Sequence, residues 1–452
     1  MRAVLRRCNR RLLQPCNVSL HSSTHHSISY LSPITSRTHR PTSILVSAAV
    51  PSSIASSSSS HPVRHGHFNA SLGLSEDELA YQQTALSFAQ SELAPHAAEW
   101  DATSHFPIPT LRKAAELGFA AVYVRDDVGG SGLSRKDGAV IFESLATADV
   151  STAAYLTIHN MCGWMIDAFG SDEQRQRYLP SIVSMDKLCS YCLTEPSAGS
   201  DAASLRTSAR LSSDGSHYLL TGEKVFISGA GSSDIYIVMA RTGKQEDGGR
   251  GVTAFIVDKD AAGLSFGKKE DKLGWRSQPT RSVVLDGVKV GKEQVLGGVG
   301  EGFKIAMRGL DGGRINIGAT ALGGAIACYN YAIDYVKQRQ QFGRPIADLQ
   351  HTQFQLAQML TKLTAARLLL HRAADLLDAK SGEATVHCAM AKRYASDVAF
   401  EVCNGCLQLL GGYGYLRDYP IERFVRDVRV HQILEGTNEI MQVITGRHIV
   451  KD

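Results

Sequence analysis

The chain has 452 residues, 43% of them hydrophobic, and a formal net charge of +4. That length holds two or three domains around a large core, and no apolar run approaches the roughly 18 residues of a membrane span. The positive charge gives no support to nucleic-acid binding: residues 1–75 carry eight Arg, no Lys and no acid, which leaves 40 Lys+Arg against 44 Asp+Glu from Glu76 onward.

Residues 1–70 are Ser- and Arg-rich, with Ser56 to Ser60 in one run and Arg6, Arg7, Arg10 and Arg11 near the start. An acid-free segment of this kind without an apolar h-region reads as an organelle transit peptide. Cleavage is expected between Arg40 and Asn69, and the Asn17-Val-Ser19 and Asn69-Ala-Ser71 sequons read as chance matches. Residues 74–188 form an expected helical domain. Asp77 to Trp100 has helical spacing, with Ser75 as N-cap and Pro95 near the end; Gly129 to Gly132 is a loop, and Lys136 to Thr147 and Tyr155 to Phe169 are helices. Residues 189–300 read as a β domain. Short β-type runs cover Tyr218–Thr221, Lys224–Ser228, Ile235–Ala240, Val252–Val257 and Arg281–Leu285, separated by turn signals such as Asp214-Gly215. Over 301–452 helices return, at about 303–338, 351–379, 383–410, 420–430 and 438–448, with the lengths of a four-helix bundle. The fold class is therefore α+β, mostly α, with helical layers flanking a compact β unit.

No G-x-G-x-x-G and no P-loop occur, so any nucleotide cofactor must be held another way. Nine cysteines include Cys189-x-x-Cys192 and Cys403-x-x-Cys406. The long gap between the pairs argues against a four-thiolate metal site, and spacing of three marks one helix face for Cys403 and Cys406; no metal is expected. Glu435 follows the apolar pair Ile433-Leu434 and precedes Gly436, with Thr437 and Asn438 available to cap a helix. Taken alone it reads as a solvated loop residue, whereas in apolar surroundings it would be a base with a raised pKa. Tyr191 to Asp201, YCLTEPSAGSD, is rich in small residues and hydroxyls and reads alone as a hinge.

Together these stretches closely resemble the acyl-CoA dehydrogenases from Leu74 to Asp452. The resemblance rests on YCLTEPSAGSD, on KVFISGA around Phe226, on RGLDGGRIN over Arg308–Asn316, on QRQQFG, QLLGG and the EGT tripeptide, and on further blocks such as TIHNMC and KLGWRSQPTR. It implies FAD as cofactor, with Tyr191, Cys192, Leu193, Thr194 and Ser200 in the flavin loop. Phe226 and Ile227 would pack near the isoalloxazine and Ser228 would bond near its N5; Phe226 stands where the family often has Trp. Arg339, Leu349, Gln350, Gln408, Leu409, Leu410, Gly411 and Gly412 match positions holding the pyrophosphate and adenosine, partly from a neighbouring subunit. Thr437, Asn438 and Glu439 join the cofactor set at the last helix. Ser200, Asp311, Gly312, Gly313, Arg314 and Arg447 would meet the acyl-CoA substrate. Ser197 departs from the family's common Gly.

The activity so implied is FAD-dependent α,β-dehydrogenation of a short branched acyl-CoA, with Glu435 removing the α-proton and isobutyryl-CoA as the expected substrate of valine breakdown. Gly313 stands where some relatives carry an alternative base. Expected partners are an electron transfer flavoprotein and identical subunits in a homotetramer, with no nucleic acid and no membrane span, in the mitochondrial matrix. The alternatives are 2-methylbutyryl- or butyryl-CoA as substrate, an acyl-CoA oxidase, or a silent acyl-CoA-binding flavoprotein. An oxidase would be longer with a peroxisomal ending, unlike Val450-Lys451-Asp452, and loss of Glu435 or Arg339 would favour the silent scaffold.

Overall fold

The computed structural model describes residues 64–450. Most of the leader, through Val63, lies outside the described residues. Its last part, from Arg64 to Ala70, is packed against the C-terminal helices. Phe68 is buried and its N–H donates to Asn330 Oδ1 at 2.8 Å, His67 Nε2 lies 2.9 Å from Asp334, and Arg367 donates to the Ala70 carbonyl at 2.6 Å.

Six helices come first: α1 (Glu76–Phe88), α2 (Ala97–Thr103), α3 (Ile108–Glu116), α4 (Arg135–Ala146), α5 (Val150–Phe169) and α6 (Asp172–Val183). Ser75 caps α1 as expected, and Glu78 completes the capping box by accepting from the Ser75 N–H. The single helix expected over Asp77–Trp100 is in fact broken. A π turn over Ala89–Leu93 precedes Pro95, which has no N–H to donate, and α2 starts afresh at Ala97. Helix α5 begins five residues before the expected Tyr155, because Asp149 accepts from the Thr152 N–H and caps it.

The β unit is one eight-stranded sheet. Its strands are β1 (Cys189–Cys192), β2 (Ser208–Leu211), β3 (His217–Ser228), β4 (Ile235–Arg241), β5 (Val252–Asp258), β6 (Leu264–Phe266), β7 (Thr280–Gly291) and β8 (Val295–Leu296). The order is β6-β7-β3-β2-β4-β5-β8, with β1 parallel to β4. The two runs expected over Tyr218–Thr221 and Lys224–Ser228 are one strand, β3, with register shifts against β7 at Leu220/Gly222 and Lys224/Ile227. Strand β4 is buried throughout: Ile235, Ile237 and Met239 face a core shared with α5 and α6, and Tyr236, Val238 and Ala240 face a second core inside the β unit.

Five helices close the fold: α7 (Gly302–Gln338), α8 (Gln350–Asp378), α9 (Ala384–Leu410), α10 (Ile421–Val428) and α11 (Asn438–Ile449). Their bounds lie within about two residues of the sequence reading. Helix α7 packs against both α4 and α9, and one continuous core joins the first and last helical layers. Gly323 permits the α4 approach, since a Cβ there would lie 2.1 Å from the Glu143 carbonyl oxygen. Between α4 and α8 a buried Glu143–Arg367 pair at 3.0 Å crosses the core. No described helix is long and apolar enough to cross a membrane.

Candidate active site

Where α5, the β1–β2 loop, the end of β3, α7 and α11 converge, a cavity of about 410 Å³ opens. Glu435 lines it, from the turn between α10 and α11. The residue has φ 59° and is followed by Gly436 at φ 90°, so the turn runs through two consecutive left-handed residues. Left-handed backbone at a non-glycine residue is uncommon and is concentrated at functional sites. Glu435 is half-buried and lines the cavity, while its Oε2 finds no hydrogen-bond partner among the described residues. Burial pushes its pKa up to about 7, although Arg314 and Lys392 pull in the opposite direction. A carboxyl with that pKa and a free oxygen is suited to take a proton near neutral pH.

Gly313 makes the seat for this carboxyl. A Cβ at 313 would lie 2.4 Å from Glu435 Oε2 and 2.9 Å from its carboxyl carbon. Gly313→Ala is therefore expected to displace this carboxyl and to lower kcat roughly 10–100-fold, in line with the sensitivity of catalysis to misplacements near 1 Å. Steady-state kinetics of that variant, with its thermal unfolding measured alongside, checks this.

The rest of the cavity combines an aromatic ring, hydroxyls and apolar side chains. Phe226 sits at the β3 bulge with φ 59°, and its side chain is 71% exposed, so the ring is presented to the cavity rather than packed away. The hydroxyls of Thr194, Ser200 and Ser228 line the same space, as do Leu193 and the buried Ile227. Tyr191 adds a buried hydroxyl with no partner among the described residues. Arg447, on α11, lies exposed at the edge.

Glu195 anchors the β1–β2 loop that carries Thr194 and Ser200. It accepts from the N–H groups of Arg206 and Thr207 at 2.6 and 2.9 Å and from Lys224 Nζ at 2.7 Å. Lys224 is fully buried and also donates to the Leu193 carbonyl at 3.1 Å. Burial would drive Glu195 toward its neutral form, but Lys224 and the amides more than offset this and hold its pKa below the usual value.

Several residues expected at the site lie elsewhere. The Cys192 side chain is buried in the core of the β unit. Asp311 is committed to Arg314 at 2.8 Å and to the Thr385 hydroxyl at 2.8 Å, and Gly312 packs against Arg135. Of Asp311, Gly312 and Arg314 only Arg314 lines the cavity, and its Nε donates to the Glu435 carbonyl at 3.3 Å. Asn438 is not a cap: it is buried, bonded to Lys392, Ser396 and Asp397, while Thr437 caps α11 and Glu439 is exposed.

Arg339, Leu349, Gln350, Gln408, Leu409, Gly411 and Gly412 gather outside the cavity, at the far end of α7 and α9. There the Arg339 guanidinium lies 5.4 Å over the Tyr413 ring. Leu410 is buried beneath them. Sequence reasoning missed Lys392, whose one signal was a lysine at the buried phase of α9, between Cys388 and Ala395. It also missed Glu195, Lys224 and Trp275. Trp275 lines the cavity at φ 52° and is held by its N–H to Asp427 at 2.6 Å.

The chain belongs to the acyl-CoA dehydrogenase family, whose members act on acyl-CoA thioesters. Residues 75–186, 190–288 and 300–450 match that family's N-terminal, middle and C-terminal domains. More particularly, it is 54% identical over 384 residues to "Isobutyryl-CoA dehydrogenase, mitochondrial" of Dictyostelium discoideum, covering 85% of this chain and 92% of that protein. Butyryl-CoA dehydrogenase of Megasphaera elsdenii superposes with a TM-score of 0.81 at 39% identity, covering 84% of this chain and 99% of that one. An acyl-CoA dehydrogenase of Bacillus anthracis, solved complexed with FAD, gives 0.79 at 33% identity, covering 84% and 67%. The protein is an FAD-dependent oxidoreductase acting on acyl-CoA thioesters.

Proposed function

We propose that the protein oxidises isobutyryl-CoA to methacrylyl-CoA in the mitochondrial matrix, as a homotetramer that passes electrons to an electron transfer flavoprotein. The observation that carries the chemistry is the unpartnered Glu435 carboxyl on its Gly313 seat. Glu435 takes the α-proton of the thioester, and its own backbone N–H, which donates to no described residue, is free to stabilise the enolate oxygen. The apolar wall of Ile158, Met161, Leu310 and Leu434 excludes water from the acyl group. Bound FAD supplies the acceptor for the hydride from the β-carbon. Phe226, Thr194, Ser200 and Ser228 would hold it, with Arg339 and the Gln408–Gly412 stretch serving the cavity of a neighbouring subunit.

Because the active form of Glu435 is the carboxylate, kcat/KM is expected to rise with pH through an apparent pKa near 7. A pH–rate profile flat from pH 6 to 8 would contradict this.

The choice of acyl group is supported by the relatedness to the Dictyostelium protein of that name. A panel of isobutyryl-, 2-methylbutyryl-, butyryl- and isovaleryl-CoA with an artificial electron acceptor tests it. Isobutyryl-CoA should give the highest kcat/KM and isovaleryl-CoA, branched one carbon further out, a poor one. One misplaced methylene is worth only about 1–3 kcal/mol, so overlap with 2-methylbutyryl-CoA is expected. A preference for butyryl-CoA would remove the valine-pathway reading and leave the dehydrogenase.

The units 74–188, 189–300 and 301–452 are proposed as the domains. Transit-peptide cleavage is proposed between Arg40 and Asn69; a site before Phe68 would leave that buried side chain in the mature protein.

A further inference from the structure

We propose that Lys392 is a positioning residue for the base: together with Arg314 it clamps the two carbonyls of the left-handed Glu435–Gly436 turn and keeps a cation beside the carboxylate. The inference rests on the reading of Glu435 as the base. Arg314 Nε reaches the Glu435 carbonyl at 3.3 Å, and Lys392 Nζ reaches the Gly436 carbonyl at 2.7 Å and Asn438 Oδ1 at 2.9 Å. The two contacts fall on consecutive residues of one turn, approached from α7 and α9.

Asn438 is itself held by Ser396 and Asp397, and Gln432 donates to that same Asp397 oxygen at 2.7 Å. The turn is thus pinned on both sides of Glu435, and its side chain inherits a fixed direction over Gly313.

Lys392 is 0% exposed, and lysine is almost never fully buried unless paired. Its hydrogen bonds go to a carbonyl and an amide oxygen, with no carboxylate among them. Burial pulls its pKa down to about 8, opposed chiefly by the Glu435 carboxyl, so the two groups favour each other's charged forms.

The groups acting on Glu435 are Arg314 with its partner Asp311 on α7, Lys392 on α9, the Tyr191 hydroxyl on β1 and the Cys162 thiol on α5; Asp397 and Glu439 act in turn on Lys392. Among these, the two cations are what favours the carboxylate form. Removing either should raise the pH at which the base becomes active.

The test compares FAD-loaded Lys392→Met, Lys392→Gln and Lys392→Arg by pH profiles of kcat and kcat/KM, exchange of the substrate α-proton with deuterated solvent, and thermal unfolding. In Lys392→Met the acid limb should move up by about one pH unit, and the plateau kcat and α-exchange should fall about tenfold as the turn loosens. Lys392→Gln should show the displaced limb, and Lys392→Arg should return it toward the wild-type position. A lowered unfolding temperature with wild-type limb and plateau would make Lys392 purely structural and overturn the proposal. If the Met variant does not fold, the Gln and Arg limbs decide: coincident limbs overturn it. Glu435→Gln is run in parallel. If that variant keeps the wild-type rate, the base assignment itself fails; if it is inactive while the Lys392 profiles are unchanged, only the clamp fails.

Discussion

Glu435→Gln is expected to retain fold, FAD and substrate binding and to lose turnover by roughly 10²–10⁴-fold, the usual worth of a positioned general base. The amide has nearly the shape of the carboxyl and can occupy the same seat over Gly313, so the left-handed turn and its clamps should persist. What it lacks is a lone pair basic enough to accept the α-proton. Tyr191 cannot take over, because burial holds its hydroxyl pKa well above the usual value. Arg314 is charged and committed to Asp311 and to the Glu435 carbonyl. Rapid-mixing measurement of flavin reduction by isobutyryl-CoA is the direct check. A wild-type rate in the Gln variant would show that another group takes the proton.

Lys224→Met should destabilise the protein by about 3–5 kcal/mol, the range found when one partner of a buried ion pair is removed. The fully buried lysine is the counter-charge to Glu195, and without it that carboxyl must either stay ionised against burial or take up a proton. Either outcome weakens the bonds to the Arg206 and Thr207 amides that shape the loop carrying Thr194 and Ser200. FAD affinity should fall with stability. Denaturant unfolding at fixed FAD concentration measures the first, because bound cofactor itself adds stability. Replacing both partners, Glu195→Leu with Lys224→Met, should recover part of the loss, since an apolar pair leaves no buried charge. Equal stability of Lys224→Met and wild type would show that the pair contributes nothing.

Much of the fold was legible because its signals are local. The Ser75 capping box, the glycine loop before α4, the uninterrupted apolar run of β4 and the last five helices all follow from patterns within a few residues. The failures were also local. Pro95, lacking an N–H, divides the helix that the apolar spacing would run through it, and Asp149 caps α5 from outside the apolar pattern. Strand β3 looked like two strands because its bulges interrupt the alternation at Gly222 and Val225–Phe226.

The site divides along a different line. Local sequence supplied the residue types: an acid between apolar neighbours and glycine, a hydroxyl-rich loop, an aromatic in a strand, and the resemblance that tied them to thioester oxidation. Packing brought Gly313 under Glu435, set Lys392 and Arg314 on the two carbonyls of its turn, and joined Glu195 to Lys224 in the interior. It also separated Arg339 and the Gln408–Gly412 stretch from the cavity and turned Cys192, Asp311 and Asn438 inward. The physical reason is range. Capping, turn chemistry and hydrophobic period act between residues a few positions apart, whereas a buried charge finds its partner only after helices and sheet have packed, and its pKa is set by what that packing leaves beside it.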